Sequence, residues 1–220
     1  MNLKRLVKAS PLIGSLARRM RALIPVNSSR YWEQRYRLGG NSGAGSYNRL
    51  AEFKAQFLND FVAVNKVSSI IEFGSGDGAQ LALSAYPAYV GVDVSQTVLE
   101  LLRTRFAGHK SYVFLHSSEV GSDIKAELSL SLDVVYHLVE DNVYERYMQQ
   151  LFDASTKWVI IYSSNMEGWE APHVRHRKFT DWVEKHRADV TLIEHVPNRY
   201  PLDPTDPDTS LAEFYVYAKT

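Results

Sequence analysis

Short apolar runs recur along the chain, separated by segments whose apolar positions repeat at helical spacing. Ile70, Ile71 and Phe73 form the first run, and residues 89–92 and 158–162 are equally clear. Residues 112–115, 128–132, 190–195 and 212–217 read as further strands. Runs this short and this apolar are typical of strands buried on both faces of a parallel sheet. Between them, Leu50, Phe53, Phe57, Leu58 and Phe61 recur at helical spacing, as do Val98, Leu99, Leu102 and Phe106. Val143, Tyr147 and Leu151 mark a third such stripe, and Phe179, Trp182 and Val183 a fourth. Each stripe predicts a helix packed on a sheet, and the alternation of strand with helix predicts a doubly wound α/β fold.

Two segments ahead of this pattern differ from it. In residues 1–30, Leu12, Ile13, Leu16, Met20, Leu23 and Ile24 lie at helical spacing with Arg18, Arg19 and Arg21 interleaved. That composition predicts a basic amphipathic extension, and residues 1–24 suit an anionic membrane surface, a partner protein or the chain's own core. Pro11, Arg18 and Arg19 interrupt its apolar region, so a cleaved signal peptide is not expected. Residues 31–47, YWEQRYRLGGNSGAGSY, place a glycine- and serine-rich loop between aromatic flanks. Linkers are often this polar, but Tyr31, Trp32, Tyr36 and Tyr47 so close together favour a lid that orders over a site.

The chemistry concentrates in residues 69–95, SIIEFGSGDGAQLALSAYPAYVGVDVS. An apolar strand ends in Gly74, Gly76 and Gly78, which let the backbone turn tightly and approach a ligand. A helix expected over residues 79–85 would aim its free N–H groups at that ligand. Asp93 closes the next strand, 21 residues after Glu72, at the distance of the acidic residue that grips ribose hydroxyls in nucleotide-binding βαβ units. Gly74, Gly76 and Ala79 also satisfy the dinucleotide pattern G-x-G-x-x-G/A, so a nicotinamide-dependent oxidoreductase is the alternative. Glu72 weighs against it. A carboxylate two residues before the first glycine repels a pyrophosphate and attracts a ligand that carries an ammonium group beside its nucleoside.

EFGSGDG followed by GVDVS resembles the cofactor half of a class I SAM-dependent methyltransferase, and DVVYHL at residues 133–138 resembles the strand-four motif of the same class. The resemblance covers the chain from about residue 46 onward, within a domain of residues 31–220. It implies a seven-stranded, mostly parallel sheet with an antiparallel last strand, S-adenosyl-L-methionine as cofactor, and a site at the carboxyl ends of the strands. It places Glu72, Gly74, Ser75, Gly76, Gly78, Asp93, Val94, Ser117 and Asp133 at the cofactor. The acid that often meets the adenine amino group has no clear counterpart in residues 116–119, HSSE. YWEQRY…GGNSG…GSY in residues 31–47, paired with HVRHR at residues 173–177, resembles a bacterial methyltransferase type of small-molecule and glycan assembly, so the acceptor expected is a hydroxyl of a sugar or of a phosphate-bearing glycan intermediate. A non-catalytic SAM-binding adaptor at a membrane surface is the other alternative.

An oxygen acceptor must lose a proton, for which His137 is the candidate base, with Asp133 orienting it or holding the acceptor. Residues 173–177, HVRHR, form the second candidate site: Arg175 and Arg177 can each hold a carboxylate or phosphate bidentately. His173 and His176 alone do not make a metal site. Tyr47, Tyr136, Arg199 and Tyr200 complete the residues expected at the acceptor.

Charge sharpens the choice of partner. All seven basic residues of the first thirty stand without an acid, and the remaining 190 residues carry 18 basic and 25 acidic side chains, a net of −7. An acidic body argues against nucleic acid. The chain has no cysteine, which excludes disulfides and a cysteine nucleophile and suits a cytoplasmic enzyme, peripheral at a membrane if the extension binds lipid. No apolar run approaches the roughly 20 residues that a membrane span needs.

Overall fold

The apolar runs assemble into one sheet of seven strands. The structure, a computed structural model, describes residues 27–220. In chain order the strands of this sheet are β1 (Ile70–Phe73), β2 (Tyr89–Asp93), β3 (Tyr112–His116), β4 (Ala126–Leu132), β5 (Ser155–Ser163), β8 (Val190–Val196) and β9 (Glu213–Lys219). Their spatial order is β3-β2-β1-β4-β5-β9-β8. Strands β3 to β5 in that order pair parallel, and β9 runs antiparallel between β5 and β8. Two further strands, β6 (Gly168–Ala171) and β7 (Val174–His176), form a separate hairpin.

Alternation along the central strands sends successive residues to opposite faces. Ile70, Leu128, Leu130 and Ile160 join one apolar cluster with Phe53, Leu58 and Leu99, whereas Ile71, Val159 and Ile161 join the other with Met148, Phe152 and Phe179. Helices α2 (Asn48–Val64) and α3 (Gln96–Arg105) therefore cover one face, and α4 (Asp141–Asp153) and α5 (Phe179–His186) the other. Helix α1 (Ser28–Arg37) belongs to neither layer. It crosses the rim of the sheet where β1, β2 and β4 end.

One predicted element is replaced. Residues 79–85 form no α-helix, only a single 3₁₀ turn over Leu81–Leu83. Gly78 sits at φ +76°, outside the helical region. The Asp77 carboxylate accepts from the Ala79 amide at 3.0 Å, and Pro87 disfavours helical backbone at its predecessor. Amide donors that a helix would have aimed at the ligand are instead partly satisfied within the loop. The extension over residues 1–26, with its membrane or partner role, lies outside the described residues.

Candidate functional site

The glycine loop, the ends of β2 and β4, and α1 enclose a cavity of about 440 Å³. Glu72, Gly74, Ser75, Gly76, Asp93 and Val94 line its inner end, with Ser117, Asp133 and His137. Gly78 does not. Its missing side chain instead makes room for Leu102 and Phe106, so it serves the packing of α3. Gly76, at φ +57°, is different: an added Cβ would collide with the Ser42 hydroxyl of the overlying loop.

Asp93 and Glu72 are buried, 6 % and 4 % exposed. The Gly76 and Ser95 amides each donate to an Asp93 oxygen at 3.0 Å, and each carboxylate oxygen keeps a second lone pair for a ligand hydroxyl. Burial raises the Asp93 pKa to about 6 against the pull of those amides. Burial likewise raises Glu72 to about 7, opposed by the Tyr89 hydroxyl, which donates at 2.6 Å, and by the charge of Lys54. Two carboxylates held out of water in one cavity prefer a cationic, hydroxyl-bearing guest.

Lys54 was not legible as a site residue. It is 1 % exposed, lines the cavity and donates to Asp133 Oδ2 at 2.6 Å. Its position four residues before Leu58, on the apolar stripe of α2, was the available signal. Asp133 itself adopts φ +60°, and its other oxygen accepts from the Tyr136 hydroxyl at 2.8 Å. Both Asp133 oxygens are thus engaged away from His137. The imidazole is oriented instead by the His173 carbonyl, 3.0 Å from Nδ1. A carbonyl only accepts, so Nδ1 carries the proton and Nε2 keeps its lone pair, without a hydrogen-bond partner among the described residues. Burial lowers the His137 pKa to about 4, which keeps the ring neutral at physiological pH.

Residues 31–47 roof this cavity. Trp32, Tyr36, Ser42 and Ser46 line it. Asp77 fastens the roof: it accepts from the Ser42 amide at 2.8 Å and the Tyr47 hydroxyl at 2.7 Å, while its own amide donates to the Ser42 hydroxyl at 2.8 Å. Burial opposes the Asp77 charge, but these hydrogen bonds hold its pKa below the usual carboxylate range. A second tie joins α1 to the start of α3, where Glu33 accepts from the Ser95 hydroxyl at 2.7 Å and the Thr97 hydroxyl at 2.6 Å. A third joins Ser28 to Glu140 ahead of α4.

The other expected substrate residues are distributed differently. Arg175 and Arg177 both pair with Asp141 at 2.8 Å, and Arg177 also donates to the Leu138 and Val139 carbonyls. They fasten hairpin β6–β7 to the start of α4 and do not line the cavity. His176 bonds Ser164 and Glu170. Arg199 reaches Gln56 and covers Phe53, and Tyr200 lies under Arg49; both stand on the α2 side of the sheet. Tyr136 serves Asp133, Tyr47 serves Asp77, and His173 stacks on Tyr31 with ring centroids 4.5 Å apart. Beyond β3, Glu119 turns back to accept from the His116 amide at 2.6 Å, leaving Ser117 and Ser118 at the cavity wall. Among the described residues no cluster has the make-up of a metal site.

The fold is that of the class I SAM-dependent methyltransferases. The methyltransferase domain of bacterial CtHen1-C superposes with a TM-score of 0.59 at 19 % identity, covering 76 % of this chain and 96 % of that one. The N-methyltransferase NodS from Bradyrhizobium japonicum WM9, solved with S-adenosyl-L-homocysteine, gives 0.65 at 14 % identity over 88 % and 99 %. Magnesium protoporphyrin IX methyltransferase ChlM from Synechocystis PCC 6803, also with S-adenosyl-L-homocysteine, gives 0.62 at 10 % identity over 94 % and 100 %. Similar structures thus include a magnesium protoporphyrin IX methyltransferase and the small RNA methyltransferase HEN1, so the comparison lends no support to excluding nucleic acid. No protein-family model and no curated sequence matches the chain.

Proposed function

We propose that this chain is an S-adenosyl-L-methionine-dependent methyltransferase acting on a hydroxyl of a small molecule, a sugar or a phosphate-bearing glycan intermediate. The observation that carries the proposal is a single cavity that joins the glycine loop and two buried carboxylates to a neutral imidazole with a free Nε2. The side chains present fit that cofactor: Ser75 Oγ and Gln80 Oε1 are buried at the cavity without hydrogen-bond partners, and a bound amino-acid moiety would satisfy such atoms. Asp93 would take the ribose hydroxyls and Glu72 the ammonium group, with Lys54 for the carboxylate. When bound, the cofactor supplies a methyl group already activated by the sulfonium charge. The protein's task is then alignment, exclusion of water and removal of one proton. His137 Nε2 takes that proton from the acceptor hydroxyl, and its Nδ1–H stays on the His173 carbonyl.

Acidic balance supports a small acceptor over a nucleic acid. Residues 27–220 hold 25 acidic and 19 basic side chains, and the basic run is consumed by Asp141. The test is transfer from radiolabelled S-adenosyl-L-methionine to panels of sugars, sugar phosphates and short RNAs, followed by mass spectrometry of the product. Label in a hydroxyl of a sugar or sugar phosphate, lost in His137→Ala, supports the reading; label in RNA alone overturns the acceptor class, and unchanged turnover in His137→Ala removes the base.

A further inference from the structure

With Arg175 and Arg177 committed to Asp141, an anionic acceptor would have to meet another cation, and α1 carries one beside the cavity-lining Trp32. Arg35 has no carboxylate within ion-pair distance among the described residues. Its guanidinium is nonetheless fixed. Nε donates to the Asn41 carbonyl at 2.6 Å and Nη2 to the Asn41 side chain at 3.3 Å. Its Cζ lies over the Trp32 ring, 5.6 Å from the centroid, and the turn that follows is closed by the Gly40 amide on the Arg35 carbonyl at 2.9 Å. Nη1 has no partner.

The position of this cation matters as much as its state. Trp32 meets His137 edge-on at 4.9 Å, and both line the cavity. Beside Trp32, with ring centroids 5.5 Å apart, Tyr31 stacks on His173, whose ring is parallel to that of His137 at 5.9 Å. The Arg35 charge is felt at both imidazoles: burial is the main cause of their lowered pKa values, and Arg35 adds to it in each. Arg35 is not itself part of the cavity wall; it stands outside, one ring away from the base, with an unsatisfied face of a fork-shaped donor that matches carboxylate or phosphate.

We propose that Arg35 binds an anionic group of the acceptor, a carboxylate or a phosphate, and so presents the acceptor's hydroxyl to His137. This rests on the methyl-transfer reading above and narrows its substrate to an anion. The contact with Trp32 and the Asn41 hydrogen bonds hold the fork in place before the acceptor arrives, so little side-chain entropy is lost on binding.

The test uses the full chain with and without S-adenosyl-L-homocysteine, titrated with inorganic phosphate and, separately, with acetate. The readout is the indole N–H resonance of Trp32, assigned through Trp32→Phe. A saturable shift is expected for one or both anions, abolished in Arg35→Gln and weakened several-fold in Arg35→Lys, which keeps the charge and loses the fork. A stronger response to phosphate names a phosphorylated acceptor, and to acetate a carboxylated one. No saturable shift with either anion, or a shift that persists unchanged in Arg35→Gln, overturns the proposal. Binding of S-adenosyl-L-homocysteine is measured in the same samples, so failure of the donor reading is seen separately from failure at Arg35.

Discussion

Glu72 illustrates how much a single buried group can commit a site. Burial raises its pKa to about 7, so below that pH the empty cavity holds it as the neutral acid. A guest ammonium group favours the carboxylate, and binding must then expel a proton. The sign follows: affinity for S-adenosyl-L-homocysteine rises with pH up to about 7 and flattens above. Each unit below 7 costs up to roughly tenfold, or about 1.4 kcal/mol. Calorimetry at pH 6 in buffers of different ionisation enthalpy checks this; Glu72→Gln should lose most of the buffer dependence, the remainder coming from Asp93. His137 is shifted in the opposite direction. Its pKa is lowered to about 4 by burial, so kcat at saturating donor should stay flat from pH 8 to about 5 and fall below that. An inflection near the ordinary histidine value of about 6.5 would contradict a buried, neutral base. The glycines, Glu72 and Asp93 were legible because their spacing is part of the chemistry. Lys54 and Asp77 were not, because each takes its meaning from a residue far away in sequence, Asp133 and Ser42.

Between elements, the tie of α2 to the end of β4 is a buried ion pair, Lys54 to Asp133. Removing one partner strands the other. Lys54→Met should therefore destabilise the protein by about 3–5 kcal/mol in urea unfolding, and Lys54→Met combined with Asp133→Asn by markedly less. Asparagine is the suitable partner substitution because it tolerates the left-handed backbone that Asp133 adopts; Asp133→Ala should cost more. The roof over residues 31–47 makes a separate prediction. The Ser42 amide and the Tyr47 hydroxyl both donate to Asp77, so hydrogen exchange over residues 42–47 should slow on adding S-adenosyl-L-homocysteine and speed up in Tyr47→Phe. Equal exchange in all three samples would mean that the roof is not coupled to the site. Apolar runs and helical stripes made every strand of the main sheet readable. The missing helix after the glycine loop was not, because Gly78 and the Asp77 cap override the propensity of the alanines and leucines that follow. Likewise the basic run looked like an anion site until tertiary pairing placed Asp141 between its two arginines.

For the whole molecule, fold and site argue at different strengths. A seven-stranded sheet with β9 reversed is shared with enzymes as different as NodS, ChlM and HEN1, so the fold carries no acceptor. No helix among the described residues is long and apolar enough to cross a membrane. If the basic extension binds lipid, the full chain should float with anionic vesicles and a chain lacking residues 1–26 should not; equal flotation would move that role elsewhere. The claim on which the rest depends is the identity of the guest beneath α1. Thermal melting with S-adenosyl-L-homocysteine and with NAD tests it most directly. Stabilisation by S-adenosyl-L-homocysteine, reduced in Asp93→Asn and absent with NAD, is the result expected here. Stabilisation by NAD with none by S-adenosyl-L-homocysteine would contradict the assignment.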